Sequence, residues 1–461
     1  MQLARRFGIV FATALIAACA SDGPAAPVVV GTPALSAGSV TPAPDNPLAA
    51  AETAEFRLGD RPVVLEGGEA EVAPAVAVDT PIVDGPATLA PAAEASGDRV
   101  TDLRARTLDG YLGALSDTSC PPGTKTKTGE PAEIFARPVP LQPLNPSRTK
   151  IGELTFVAGF QLTSPNKRFG GLSGIDVLDN GNLLAVSDQG DFVWVDLAKD
   201  GLTPTTARIS TMRNERGDLL HGKADGDAEG LAVNGGMALV SFERNHRVLA
   251  FDLGKCGAAA RGAPIVTSPF GLPLPDAFRD ANIAVGDNEG AEPLAVTRDW
   301  YLFTGIETKV GNLSPLSARP IEAAPDFDLR VGVDAPEFVG LDVTPSIKGG
   351  GAVRAFSLHR SFSALAGNAI TITETDFHRY LDQTRLPRRI VSDIDERSHY
   401  RFKETGWREL AKLNLFLTID NFEGIAAKEL PDGRVRLFII SDDNFSASQR
   451  TLLMVFDVAK E

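Results

Sequence analysis

Three segments of this 461-residue chain share an opening in which a carboxylate precedes a strand-like run: "AEGLAV" from Ala228, "AEPLAV" from Ala291 and "FEGIAA" from Phe422. Each is followed, after a turn and a second strand-like run, by another acid. The pairs are Glu229 with Glu243, Glu292 with Glu307, and Glu423 with Asp442. A fourth copy, "LSGIDV" from Leu172, has Ser173 in the acid's place but keeps the second acid as Asp188. If one fold brings these strand ends together, Asp188, Glu229, Glu243, Glu292, Glu307, Glu423 and Asp442 form a ring of hard oxygen donors. Without cysteine or histidine, such a ring suits calcium or magnesium. A bound Ca2+ would hold a phosphate and stabilise charge as water displaces it. Glu229, Glu423 and Arg360 are then the candidate catalytic residues. Arg244, Arg360, Asn444 and Arg450 are the candidates for an anionic substrate, because guanidinium forks match phosphate oxygens. The competing reading has the glutamates bonding backbone amides and tying elements together, with the arginines as structural ion pairs.

Other chemistries find little support. "GGLSGI" is not GxSxG, so no nucleophile elbow is present. There is no CxxC and no HExxH. "DGDAEG" (Asp225 to Gly230) begins like a calcium loop, but its twelfth position is Gly236 and not Glu. His246 and His359 lie where either could face the mouth, though exposed loop histidines are the more common case.

The elements that must position these acids are short strands. In each copy an inner strand, a turn such as Asp179-Asn180-Gly181 and a β-rich strand follow one another. "FVGLDV" from Phe338 reads as a degenerate further copy. Ser173, Glu229 and Glu292 lie 56 and 63 residues apart. Strand repeats of this period are propeller blades, and about 310 residues at ~50 per blade give about six. The expected fold class is therefore all-β, a single propeller over 150–461. A β-sandwich is the alternative, but it does not repeat an acid-Gly-aliphatic opening. Closure is expected from "RTLLMVFDV" pairing with "ELTFVAGFQL".

The N-terminus reads as an export signal: Arg5 and Arg6, then the apolar "FGIVFATALIAA". "IAAC" ending at Cys19 resembles a lipobox. That resemblance implies a signal peptide over 1–18, a lipid on Cys19 and anchoring to the envelope, with Ala20 resembling the class sorted to the outer membrane facing the periplasm. Residues 19–130 are rich in Ala and Pro and have too few large apolar groups to offset the entropy of ordering. They read as a mostly disordered tether with one short amphipathic helix near 100–117. Cys120 and Cys256 remain as an even pair, which in an oxidising compartment suggests one disulfide. A net charge of −15 without a basic stripe argues against nucleic acid as a partner. The expected partners are a small anionic or ester substrate, and the membrane through the lipid only.

Together, "FGGLSGIDVLDNGNLLAVSDQGDF", "DAEGLAV", "VSFERNHRVLAFDL", "NEGAEPLAV", "HRSFSALAG" and "DNFEGIA…ISDDNFSASQRTLL" resemble the bacterial phytase-like propeller domain with esterase-like activity, over roughly Gly152 to Val458. The resemblance implies a β-propeller with phosphomonoester or ester hydrolase activity and no organic cofactor. Members often read Glu-Arg where this chain has His359-Arg360. The rivals are a non-catalytic propeller that binds a ligand or envelope protein, and a lactonase-like metal-dependent hydrolase.

Overall fold

A computed structural model describes residues 107–459 except for several internal stretches, the longest being 266–289 and 377–402. The expected signal peptide, Cys19 with its expected lipid, and the expected tether as far as residue 106 lie outside the described residues.

Strand follows strand because runs such as "LLAVS" and "FVWVD" are β-branched and aromatic, and Gly or Asn turns separate them. The described strands form five sheets, each an antiparallel meander apart from one short parallel addition to the third. Their innermost strands are Leu172–Val177, Ala228–Asn234, Leu294–Val296, Glu337–Val343 and Asn421–Glu429. These touch in that order, and the last touches the first, so the ring is closed. Five separate apolar clusters fill the five seams between neighbouring sheets. The molecule is therefore a propeller of five blades among the described residues, where chain length alone suggested about six. The difference lies in the fourth blade, where Glu337–Val343 is followed by two ten-residue strands, Arg354–Ser363 and Gly367–Asp376.

The fifth blade closes the circle. Its three C-terminal strands end in Thr451–Val458, which pairs antiparallel with Leu154–Thr163. Strands ahead of residue 150 also join the propeller: Glu130–Ala132 extends the first blade and Phe135–Pro138 the fifth. Helix α1 (Leu108–Ser119) starts at Thr107, whose hydroxyl accepts from Gly110 N, and buries Tyr111 and Leu115 in the seam between the second and third blades. Cys120, which follows it, is disulfide-bonded to Cys256, with Cα atoms 5.8 Å apart. No helix among the described residues is long and apolar enough to cross a membrane.

Inner strands crowd the axis. A Cβ on Gly230 or Gly340 would come within 3.0 Å of the carbonyl oxygen of Glu292 or Glu423 on the next strand. Glycine is needed there for close approach of backbones. As a result the inner strands enclose a void of only about 10 Å³. Away from the acid openings, two blades are tied to their neighbours by aspartates. Asp176 accepts from Val177 N and Val233 N, and Asp342 accepts from Val343 N and Ala427 N. Each thus reaches across one seam of the ring. Burial pushes Asp342 up to about 7, against the two amides that favour its charged form. Asp176 is pushed well above its usual value, by burial and then by the charge of Asp342.

Asp342→Asn is expected to cost about 1–3 kcal/mol, because an amide nitrogen facing a backbone N–H orphans one buried donor. A fall of about 5 °C in melting temperature corresponds. Since the folded pKa lies above the unfolded one, this carboxyl contributes most below about pH 4, and that contribution is lost as pH rises through about 7. Melting curves from pH 4 to pH 8 should show the gap between wild type and variant narrowing; a gap that widens would contradict the assignment.

Candidate functional site at the propeller mouth

The residues that head the inner strands sit at β-bulges. In the first, fourth and fifth blades the pairing slips by one residue at Ser173, Val339 and Glu423. The second blade slips across Glu229 and Gly230. A bulge re-aims a side chain that would otherwise alternate with the strand. The second acids are placed by a repeated backbone bond. Asp188 N donates to Gly171 O at 2.9 Å, Glu243 N to Asp227 O at 2.8 Å and Glu307 N to Gly290 O at 3.1 Å. In each case the acceptor lies two residues before the position that heads the inner strand. Asp442 pairs with Asn421 and Arg360 with Glu337 at the same offset in the other two blades. First and second acids therefore meet at one end of the ring.

The seven acids expected from the repeat, Asp188, Glu229, Glu243, Glu292, Glu307, Glu423 and Asp442, are brought into one electrostatic cluster. Burial raises Glu229 well above the usual carboxylate range, and the charges of Glu423 and Glu243 raise it further. Glu292 is raised well above its range by burial and then by Glu307. Burial takes Glu243 to about 7, against the amide of Gly290, which donates to its Oε1 at 2.7 Å. Glu307 also reaches about 7 through burial, with Arg360 opposing. Burial and the charge of Glu423 push Asp442 up to about 8. Like charges this close favour a proton or a cation.

Arg360 is the largest compensating charge. Its guanidinium bonds Glu423, Asn421 Oδ1 (2.8 Å) and Glu307 Oε1 (3.2 Å). Burial works against its charge, but Glu423, Glu292 and Glu307 outweigh that and hold it firmly protonated. Asn421 Nδ2 also donates to Glu423 Oε1 at 2.8 Å. Glu423 is thus held by two neighbours on the protein itself.

The other two arginines do not stand free for a substrate. Arg244 Nε donates to Asp227 Oδ2 at 2.7 Å. Arg450 has Nε on Asp420 (3.0 Å) and Nη2 on Ile419 O (2.7 Å). A carboxylate next to an arginine is the cheapest partner for it, and both sequences offered one. Asn444 takes a left-handed conformation with φ 47, donates its amide to Asp442 Oδ1 (2.6 Å) and lines the groove described below. His359 does not face the mouth. It is buried, stacked on Phe338 and bonded to Pro336 O and Thr373, and burial pushes it down to about 4. His246 is buried as well.

Two members of the site carry no repeat signal of their own type. Asp227, inside "DGDAEG", occupies the offset two before Glu229 where other blades have Gly171, Gly290 or Asn421. Lys223, on the four-residue helix Gly222–Asp225, sends its ammonium to Asp188 (3.1 Å) and Asp227 (3.6 Å). It lies in the crossing between the first and second blades.

Beside the acids runs a groove of about 960 Å³ over the first blade, lined among others by Lys167, Arg168, Asp188, Arg213, Lys223 and Phe445. Arg168 is engaged by Asp191 at 2.6 Å. Lys167 and Arg213 form no ion pair among the described residues, and Arg213 donates only to Gly217 O (2.9 Å). Asp188 and Lys223 stand where the groove meets the acids.

Comparison with solved structures finds other proteins at low similarity. An endo-arabinase from Bacteroides thetaiotaomicron shares 12% identity, with a TM-score of 0.36 and coverage of 64% of this chain and 96% of that one. A glutaminyl cyclase from Myxococcus xanthus shares 12%, with a TM-score of 0.34 and coverage of 67% and 97%. The PQQ-bound aldose sugar dehydrogenase from Streptomyces coelicolor shares 11%, with a TM-score of 0.31 and coverage of 71% and 99%. No curated protein matches the chain. The family model described as phytase-like, esterase-like activity of phytase, matches residues 167–445. That match spans the strands that carry every acid of the mouth and more than half of the chain, and on it the chain belongs to the phytase-like family.

Proposed function

We propose that this propeller hydrolyses a phosphomonoester or carboxylic ester of a small anionic molecule at its mouth, with a divalent cation held by the mouth acids. The observation that carries this reading is an acid cluster short of positive charge beside a groove with two cationic side chains, Lys167 and Arg213, that form no ion pair among the described residues. Lys167 and Arg213 bind the anionic part of the substrate. Arg360, fixed between Glu423 and Glu307, stabilises charge that develops on the reacting group. Glu229 is positioned to orient the attacking water. The water oxygen bonds to phosphorus or to the carbonyl carbon, the ester oxygen leaves, and one proton of the water ends on that leaving alcohol. Calcium suits the donor set best, and when bound it would polarise the group under attack.

The same reading keeps the protein at the cell envelope, exported and lipid-anchored at Cys19, on the outer membrane facing the periplasm. The lipobox-like "IAAC" supports this, as does a Cys120–Cys256 disulfide, which fits an oxidising compartment. A purely structural role would have the acids fully paired within the protein, whereas Glu292 Oε2 is buried without a hydrogen-bond partner among the described residues.

The test is hydrolysis of p-nitrophenyl phosphate and p-nitrophenyl acetate by chelator-treated protein, with and without added calcium. Turnover of at least one ester that depends on calcium is expected. Lys167→Ala with Arg213→Ala should raise KM for the phosphate ester about tenfold, the weight of a part-exposed charged contact, and leave kcat unchanged. No turnover of any ester in calcium would leave the binding propeller as the answer.

A further inference from the structure

We propose that the mouth holds two divalent cations side by side, bridged by Glu243: one on Asp227, Glu229 and Glu243, the other on Glu243, Glu292 and Glu307. This rests on the cation-binding half of the reading above and goes beyond it in number, place and ligands.

Within each of these two groups, one oxygen from every carboxylate lies within 4.8 Å of the others. Only Glu243 belongs to both. Its position is fixed from both sides, because its own amide donates to Asp227 O and its Oε1 accepts from Gly290 N. Those two bonds tie it to the loops that lead into Glu229 and Glu292. A carboxylate held between two clusters is a natural bridge between two cations.

Each group also contains a buried oxygen that accepts no hydrogen bond among the described residues. Asp227 is 1% exposed, and its Oδ1 takes no hydrogen bond. Its nearest cation on that atom is Lys223 Nζ, at 3.6 Å. Glu292 is 7% exposed, and its Oε2 likewise has no partner. Buried carboxylate oxygens without a partner are costly, and a metal ion satisfies them. That one falls in each group, rather than two in one, is the observation that separates two sites from one.

Charge points the same way. The carboxylates of the mouth, the seven of the repeat with Asp227, outnumber the cationic side chains that pair with them among the described residues, Lys223, Arg244 and Arg360. Two divalent cations offset more of that excess than one. Glu423 stands outside both groups because Arg360 and Asn421 already satisfy it. The donors are all oxygen, which selects hard cations such as calcium, magnesium or manganese over zinc or copper.

The experiment counts calcium on the full chain after chelation, by native mass spectrometry and by calorimetric titration. Two ions per wild-type chain are expected. Asp227→Asn and Glu292→Gln should each leave one ion, and the two together none. Glu243→Gln should weaken both sites. Asp442→Asn, outside both groups, should retain two. Glu307→Gln serves in place of Glu292→Gln if that variant does not fold. One ion or none on the wild type, or loss of all binding from either single variant with a native melting curve, overturns the proposal. Two ions on a protein that turns over no ester would uphold these sites and remove the hydrolase reading. Calcium-dependent turnover with a single ion would do the reverse.

Discussion

Arg360→Met is expected to be among the most destabilising single substitutions in this protein, at about 3–5 kcal/mol. The side chain is only 18% exposed, and its partners Glu423 and Glu307 are covered more fully still. Removing the cation leaves two buried carboxylates facing each other with Glu292 close by, which is far worse than losing an exposed pair. A fall of about 10 °C in melting temperature follows for a domain of this size. Arg360→Lys should recover only part of it. An ammonium keeps the charge but cannot reach Asn421, Glu423 and Glu307 at once as the planar fork does. The companion variant Glu423→Gln should be milder, since Asn421 and Arg360 both retain an oxygen to bond. In the double variant the two losses should be clearly less than additive, because each single change already breaks the same pair. Strict additivity in melting experiments would show that Arg360 does not act through Glu423.

How far the sequence reached can be judged from these same residues. Glu229, Glu292 and Glu423 were legible as one site because a repeated strand opening maps to one end of a ring. Arg360 was legible as their counter-ion because it lies at the matching strand end in the degenerate copy. The blade count was not legible from length. Dividing by ~50 residues assumes uniform blades, whereas the repeat openings at Leu172, Ala228, Ala291, Phe338 and Phe422 number five and agree with the five seams. The ion pairs of Arg244 and Arg450 were hidden for a local reason. Asp227 and Asp420 lie beside them in space, and neither pairing follows from spacing in sequence. The bulges that turn Glu229 and Glu423 into the mouth were hidden too, since a one-residue slip leaves no mark in composition. Lys223 was hidden because a crossing between blades obeys no repeat.

Replacing Cys120 and Cys256 together by alanine is expected to cost about 4 kcal/mol, nearly all of it through the unfolded chain. The bond closes a loop with a sequence separation of 136, which includes the whole first blade and most of the second. In the chain-entropy account, a loop of that length contributes about 4–5 kcal/mol. The native state should change little, because α1 has other anchors. Tyr111 and Leu115 fill the seam between the second and third blades, Ser119 Oγ accepts from Asp252 N at 2.8 Å, and Ser119 O accepts from Arg261 N at 2.8 Å. Beyond the helix, Lys127 N donates to Cys256 O at 3.1 Å, and Ala258 N donates to Lys127 O at 2.8 Å. Two measurements separate the two places where the bond can act. Melting temperature should fall by about 10 °C, while amide exchange of α1 in the native protein should stay slow. The opposite pattern, rapid exchange of α1 with an unchanged melting temperature, would mean that the disulfide only pins a loose helix to the wall. In that case the propeller would owe its stability to the five seams and to the pairing of Thr451–Val458 with Leu154–Thr163 alone.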